Sequence, residues 1–240
     1  MDLPGYVALS RVTGLDRELS VIANNIANMS TAGFRREDLV SSEAATHLPQ
    51  EGTTIAMSTL RARYTDEAQG SVERTGRALD LAIDGAGYFQ VALDGEQFLT
   101  RAGNFSRTLD GGMVLPSGAA LLDAGGAPVL IPPDAGEIAI APDGTLSADG
   151  APLAQIGVWQ VADGAALTRR DGVIFTTDVA PEPALGTRLL QGALEGSNVS
   201  PVTEMARMIE VQRAYEQGQS FLSSEDERIR AAIRALGEAR

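Results

Sequence analysis

Ala8, Val12, Leu15, Leu19, Ile22, Ile26 and Met29 recur at alternating steps of four and three, with mostly polar or small residues between them. This period predicts a helix over residues 3–33 with one narrow apolar stripe, suited to pairing with another helix rather than to closing a globular core. The far end of the chain repeats the pattern. Met208, Tyr215, Leu222, Ile229 and Leu236 fall seven apart, with Met205 and Ile233 on a companion line, and predict a second helix over 201–236. Ser200 as N-cap and Pro201 in the first turn mark its start. Gln212, Gln219 and Asp226 share the companion line, where polar groups either fix register and partner number or simply face water.

Between the helices the period drops to two. Leu79, Leu81 and Ile83 alternate, Tyr88 to Leu93 leads into Asp94-Gly95, and Gln97 to Thr100 leads out, which is a hairpin pattern. Val129 to Ile131, Ile138 to Ile140 and Ile156 to Val161 continue it, and Asp-Gly pairs fall at 84–85, 94–95, 110–111, 143–144, 149–150, 163–164 and 171–172. Short strands with turns this frequent predict a compact antiparallel sandwich or barrel with Phe89 and Trp159 in its core. Residues 35–78 scatter charges around Pro49, Gly52 and Gly70, with Thr53 to Met57 as the best extended piece, and read as a connector with some strand. The expected class is α+β. It comprises an N-terminal helix (1–34), an extended connector (35–78), a central antiparallel β domain (79–192) and a C-terminal helix (193–240), the two helices forming a coiled-coil-like domain.

A lone one-stripe helix gains little burial to offset the conformational entropy it loses. The terminal helices are therefore expected to be disordered in an isolated monomer and to order on assembly. Asn28-Met29-Ser30-Thr31-Ala32-Gly33-Phe34 closes the first helix, with Gly33 suited to a left-handed cap and Phe34 to folding back on the last turn. On that reading Gly33 matters to assembly and not to the folding of the β domain. Asn24, Asn25 and Asn28 beside the stripe are poor residues for a helix interior, so their amides are expected to bond something outside the helix.

Composition narrows the chemistry. There is no cysteine, and all 19 basic residues are arginine. Disulfides, thiolate nucleophiles, Cys-based metal sites and lysine Schiff bases are thereby removed. His47, the one histidine, lies in a polar run and suits a loop better than a metal site. The net charge of −13 is concentrated in the middle, where residues 35–194 carry 21 acidic and 11 basic residues. Nucleic-acid binding is left without electrostatic support, while the terminal helices stay nearly neutral, as closely packed surfaces require. No stretch reaches the ~18 apolar residues of a membrane span, and no basic-then-apolar leader opens the chain. The alternative reading is an enzyme or ligand-binding β domain with helical oligomerisation arms, using carboxylates such as Asp80, Asp84 or Asp110. Most of these sit in Asp-Gly turns, where the side chain caps its own backbone. Gly85-Ala86-Gly87 also lacks the third glycine of a dinucleotide loop.

The stretch Ala23-Asn24-Asn25-Ile26-Ala27-Asn28-Met29-Ser30-Thr31-Ala32-Gly33-Phe34 resembles the N-terminal signature of the bacterial flagellar rod and hook family, the axial proteins of the basal body. Thr75 to Gly85, running on through Tyr88-Phe89 to Thr100-Arg101-Ala102-Gly103-Asn104-Phe105, is similar to a second stretch of that family, and Gln191 to Val199 to a third. Length and the opening Tyr6 to Arg11 are most similar to proximal rod subunits, while Ala78 departs from a position that is often proline. The resemblance implies a structural subunit rather than an enzyme, without cofactor or metal. It would be exported through the flagellar export apparatus without a cleaved signal peptide, and packed in the periplasmic space with other proximal and distal rod proteins. A distal rod position is the alternative. The implied assembly interface takes Val12, Leu15, Leu19, Ile22, Asn24, Asn25, Ile26, Asn28, Met29, Gly33 and Phe34 from the first helix and its corner. It takes Met205, Met208, Tyr215, Leu222 and Ile229 from the last helix.

Overall fold

The computed structural model describes residues 3–47, 54–162 and 165–238. It is α+β and separates into two compact units, one formed by residues 1–27, 37–66 and 200–240, the other by residues 28–36 and 67–199. The first holds α1 (Leu3–Ala27), β1 (Glu37–His47), β2 (Thr54–Thr65) and α2 (Pro201–Glu238). Helix α2 begins at the proline that the sequence marks. Helix α1 stops at Ala27, six residues short of Gly33, because the chain turns twice: Thr31 N–H donates to the Asn28 carbonyl at 3.1 Å and Phe34 N–H to the Thr31 carbonyl at 3.2 Å. Gly33 is left-handed (φ 69°), but its N–H donates to the Glu195 carbonyl at 2.8 Å and not back to a helical turn. It is a turn glycine of the β unit, not a helix cap.

The expected connector is mostly an antiparallel ribbon. β1 and β2 pair from Glu37↔Thr65 to His47↔Thr54, with a bulge between Val40 and Ser41, and the ribbon packs on α1. His47 therefore ends a strand rather than lying in a loop. Pro49, Gly52, Thr53 and the Asp163-Gly164 pair lie outside the described residues. Glu37–His47 is rich in Ser, Ala and Glu, residues without strand preference, so no alternation announced it.

The second unit opens with β3 (Val72–Arg74), β4 (Leu81–Asp84), β5 (Tyr88–Leu93) and β6 (Glu96–Thr100). There follow β7 (Ser106–Arg107), β8 (Met113–Val114), β9 (Ala120–Leu121), β10 (Ile138–Ile140), β11 (Thr145–Ala148) and β12 (Ala151–Gln155). It closes with β13 (Val158–Gln160), β14 (Leu167–Asp171), β15 (Ile174–Thr177), β16 (Glu182–Pro183), β17 (Arg188–Gln191) and β18 (Ala193–Glu195). The largest sheet runs β14-β15-β6-β5-β9-β8-β7, with β13 bridging β5 and β16. It is open at both ends, so no closed barrel forms among the described residues. Small antiparallel sheets β10-β11-β12, β17-β4 and β18-β3 complete the unit. Two Asp-Gly pairs make the tight turns that two-residue hairpins need, with positive φ at both positions: Asp94 (52°) with Gly95 (83°), and Asp149 (50°) with Gly150 (80°).

Alternation along β5 and β6 covers both faces of the main sheet. Phe89, Val91 and Phe98 enter the larger core with Phe105, Met113 and Ile131, while Tyr88 and Leu99 join Phe175 on the opposite face. Phe89 is fully buried; Trp159 is half-buried and packs against the smaller cluster. Burial, and secondarily the Glu67 carboxylate, push the Tyr88 hydroxyl up to about 12. The folded state then keeps a proton that the unfolded chain gives up from about pH 10, so stability from this group is complete below that pH and is lost as pH rises toward 12. Alkaline unfolding in that window is expected to coincide with a tyrosinate absorbance step at 295 nm. The step should shrink in Tyr88→Phe.

Candidate functional site

In the helical unit, α1 and α2 run antiparallel: Asn25 meets Glu204, Glu18 meets Arg207, and the Val12 side chain lies over Gly218. The stripe on α1 faces this pair. Val12 and Ile22 are buried, and Leu15, Leu19 and Ile26 are half-buried. On α2, Met208, Tyr215 and Leu222 of the line of sevens are half-buried while Ile229 and Leu236 are exposed, and the inward companion line is not the expected one. Glu204, Val211, Gly218 and Glu225 turn inward, whereas Met205, Gln212, Gln219 and Asp226 face water. A line holding two carboxylates and a glycine has no apolar signature. Gly218 is needed there because a Cβ would come within 2.6 Å of Val12 Cγ2.

Asn25 is the polar centre of the unit. Its Nδ2 donates to the Glu37 carbonyl at 2.8 Å and to Glu204 Oε2 at 3.2 Å, while its Oδ1 accepts the Glu37 N–H at 2.9 Å. One side chain thus ties the start of β1 to α1 and to the first turn of α2. Such a fully satisfied amide specifies a register that apolar contacts alone leave open. Asn24 reaches Glu37 Oε2 at 3.5 Å, and Arg63 stands 3.6 Å from the same oxygen. Arg207 bridges Glu18 at 3.0 Å and Asp38 at 2.9 Å, and the Asp38 bond holds its guanidinium above its usual range. The Asn24 and Asn25 amides do bond outside their helix, as the sequence suggests, while Asn28 Oδ1 accepts from the Thr31 hydroxyl in the following turn at 3.2 Å. Glu204 and Arg207 carry no signal of this role in the sequence, since a charged residue on a helix is ordinarily solvated; Val21 and Val211 lie off the heptad lines, and Glu37 lies in the connector.

Among the described residues of the helical unit, two apolar surfaces stand open alongside others more scattered. Leu3, nine residues before Val12, comes level with Glu227, nine after Gly218, so the last turns of α2 extend past α1. There Ile229, Ile233 and Leu236 line one face and are 37%, 64% and 76% exposed. Beside the start of α1, Val7, Ala8, Arg11, Ala214, Gln217, Gly218 and Phe221 line an open cleft of about 580 Å³. Of the remaining candidates, Asn28 is half-buried and Met29 and Met205 are exposed, while Gly33 and Phe34 are buried within the β unit.

Nothing catalytic converges among the described residues. Asp80 is fully buried and held by the Thr75 hydroxyl at 2.6 Å, with Arg77 at 3.7 Å, whereas Asp84 and Asp110 are exposed. No cluster of His, Cys, Asp or Glu suited to a metal ion occurs among them, and no described helix is long and apolar enough to cross a membrane.

The helical unit pairs the two ends of the chain and leaves apolar surface open among the described residues, with no catalytic constellation beside it, and this is the make-up of a structural protein. Three family models match: flagella basal body rod protein at residues 6–35, flagellar hook protein FlgE/F/G D1 domain at 82–148, and flagellar basal body rod FlgEFG protein C-terminal at 190–235. The chain belongs to the flagellar basal-body rod protein family, whose members are structural subunits of the basal body and not enzymes. Within it, the chain is 37% identical to the flagellar basal-body rod protein FlgF of Caulobacter vibrioides over 99% of both chains, and 32% identical to FlgF of Rhizobium meliloti over 98% of both. It is also 32% identical to FlgG of Agrobacterium fabrum, over 90% of this chain and 93% of that one.

Proposed function

We propose that this chain is a subunit of the proximal rod, packed by its terminal helices among neighbouring rod proteins. The observation that carries the reading is the stripe of Ile229, Ile233 and Leu236 beyond Leu3, apolar surface that none of the described residues covers. In coiled-coil-like packing this stripe lies against helices of adjacent subunits. Exposed Met29, Met205 and Ile229 touch those neighbours directly, and Val12, Leu15, Leu19, Ile22, Asn24, Asn25 and Ile26 act by shaping the helix pair that is offered to them. The chain reaches the periplasmic space through the flagellar export apparatus, and has no nucleic-acid partner. Full-length likeness to two FlgF proteins favours the proximal over the distal position.

Ile233→Asp tests this reading. The residue is 64% exposed, so helix content and the melting of the purified protein are expected to stay within ~0.5 kcal/mol of wild type. In an assembled rod the same carboxylate would be desolvated without a partner. Cells carrying the variant should lack completed basal bodies. Full motility would sink the assignment of this stripe.

A further inference from the structure

Past Leu3 the last turns of α2 are exposed, and their charge is unlike that of the rest of the chain. Residues 228–237 hold three arginines, Arg228, Arg230 and Arg234, and no carboxylate, in a protein of net charge −13. Ile229, Ile233 and Leu236 are spaced by four and three, which sets them on one face of the helix over about two turns. At about 100° per residue, Arg228 and Arg230 fall on opposite flanks of Ile229, and Arg234 stands beside Ile233 on the Arg230 flank. The result is an apolar stripe with guanidiniums along both sides. The helix dipole accounts for cations in a last turn, but Arg228 and Arg230 lie about two turns or more before the end at Glu238.

Arg228 and Arg230 each reach back to a carboxylate of the preceding turn, Glu225 and Asp226, both at 2.8 Å. Their side chains are 62% and 67% exposed, and pairs so open to water hold their partners weakly, so both arginines can turn to another anion at little cost. An occupant of this face must therefore be apolar along its middle and anionic along its sides. The open cleft of a second copy fails that requirement, because Arg11 is the only charged residue among the described residues that line it. A bilayer containing anionic lipids meets it. Acyl chains take the stripe and headgroup phosphates take the guanidiniums, whose apolar stems lie along the boundary.

We propose that the end of α2 is an in-plane anchor by which the unassembled subunit rests on an anionic membrane surface. A face two turns long lies on such a surface and does not cross it. Three apolar side chains and three arginines give a weak, reversible hold, comparable with that of one acyl chain, so the stripe can later pass from lipid to neighbouring helices. That hand-over rests on the rod reading above. The anchor itself does not.

The test is sedimentation of the full chain with vesicles of phosphatidylcholine alone, or of phosphatidylcholine and phosphatidylglycerol at roughly two to one. The chain should be half bound at about 0.1–1 mM anionic lipid in dilute salt, and about tenfold or more weaker on the neutral vesicles; salt of about 0.5 M should remove the difference. Each arginine near the surface is worth about fivefold, so Arg230→Gln combined with Arg234→Gln should weaken binding to the anionic vesicles by about 25-fold and leave the neutral ones unchanged. Ile233→Ser should weaken both. Because the chain has no cysteine, Ile233→Cys carries a single environment-sensitive dye, whose emission should shift to the blue on anionic vesicles. The same dye at Leu109→Cys, a position 96% exposed in the β unit, should not shift. Equal binding to both vesicle types, or a shift at Leu109→Cys with none at Ile233→Cys, would overturn the anchor. Binding to neither would also overturn it and leave an acidic groove on another protein as the occupant. Absence of the wild-type chain from purified basal bodies would instead overturn the rod reading and leave the anchor standing.

Discussion

Gly33→Val is expected to destabilise the β unit by about 4 kcal/mol or more, and Gly33→Ala by a large part of that. A Cβ at this position would lie 2.2 Å from Ala102 N and 2.3 Å from the Arg101 carbonyl carbon. Both are backbone atoms in the middle of the fold, so the corner must lift away rather than repack. Lifting it breaks the Gly33 N–H bond to the Glu195 carbonyl and draws Phe34, which is fully buried, toward water. The positive φ of 69° adds its own strain for a β-branched residue. Gly76→Ala is the control: its φ is 74°, but nothing lies within 4 Å of the added carbon, so only the torsional cost of about 1 kcal/mol applies. The readout is a urea melt followed by the fluorescence of Trp159, the only tryptophan, which lies in the β unit. Equal midpoints for Gly33→Val and wild type would show that the corner is not seated on the β unit. The sequence reading, in which Gly33 served assembly and left β-domain melting untouched, is the one that the contact with Ala102 corrects.

Ile22→Asp should cost the helical unit about 4 kcal/mol. Ile22 is 1% exposed between α1 and its neighbours, and the substitution places a carboxylate there without a partner. Because Trp159, the only tryptophan, lies in the other unit, the two units are read separately: far-UV circular dichroism at 222 nm should melt early while the Trp159 transition keeps its midpoint. A helix signal as stable as wild type in the purified monomer would mean that the stripe does not pair within one chain. The same measurement on the wild-type protein decides whether the termini are ordered before assembly.

The class of fold was legible because the hydrophobic period changes twice, from seven to two and back, at places that physical elements respect. Helix α2 could be placed to within two residues, since Ser200 and Pro201 fix its start whatever follows. The sequence pattern runs α1 six residues too far because Gly33 looks the same in sequence whether it caps a helix or turns a loop; only its bond to Glu195, far along the chain, separates the two. The ribbon of β1 and β2 was underestimated for a related reason. Its short, polar residues owe their strand state to pairing with each other and to α1. In the helical unit, the outer side of α2 was mistaken for the inner one because Met205 and Ile233 are apolar and Glu204 and Gly218 are not. What turns Glu204 inward is the amide of Asn25, 179 residues earlier. Local periodicity has no access to a contact of that span.

The helical unit is sequence-discontinuous, with α1 at one end of the chain and α2 at the other, and this orders events in time. As the chain emerges from its N-terminus, every residue of the β unit is present by Val199, whereas α1 has only the β1–β2 ribbon to pack on until α2 follows. At synthesis rates of about 5–20 residues per second, the delay between the end of α1 and the start of α2 is roughly 10–35 s, far longer than a helix takes to form and melt. Through that interval the side of the Val12 to Ile26 stripe that faces α2 is open, while the sheets can already close. Pairing of the two helices waits on the synthesis of α2.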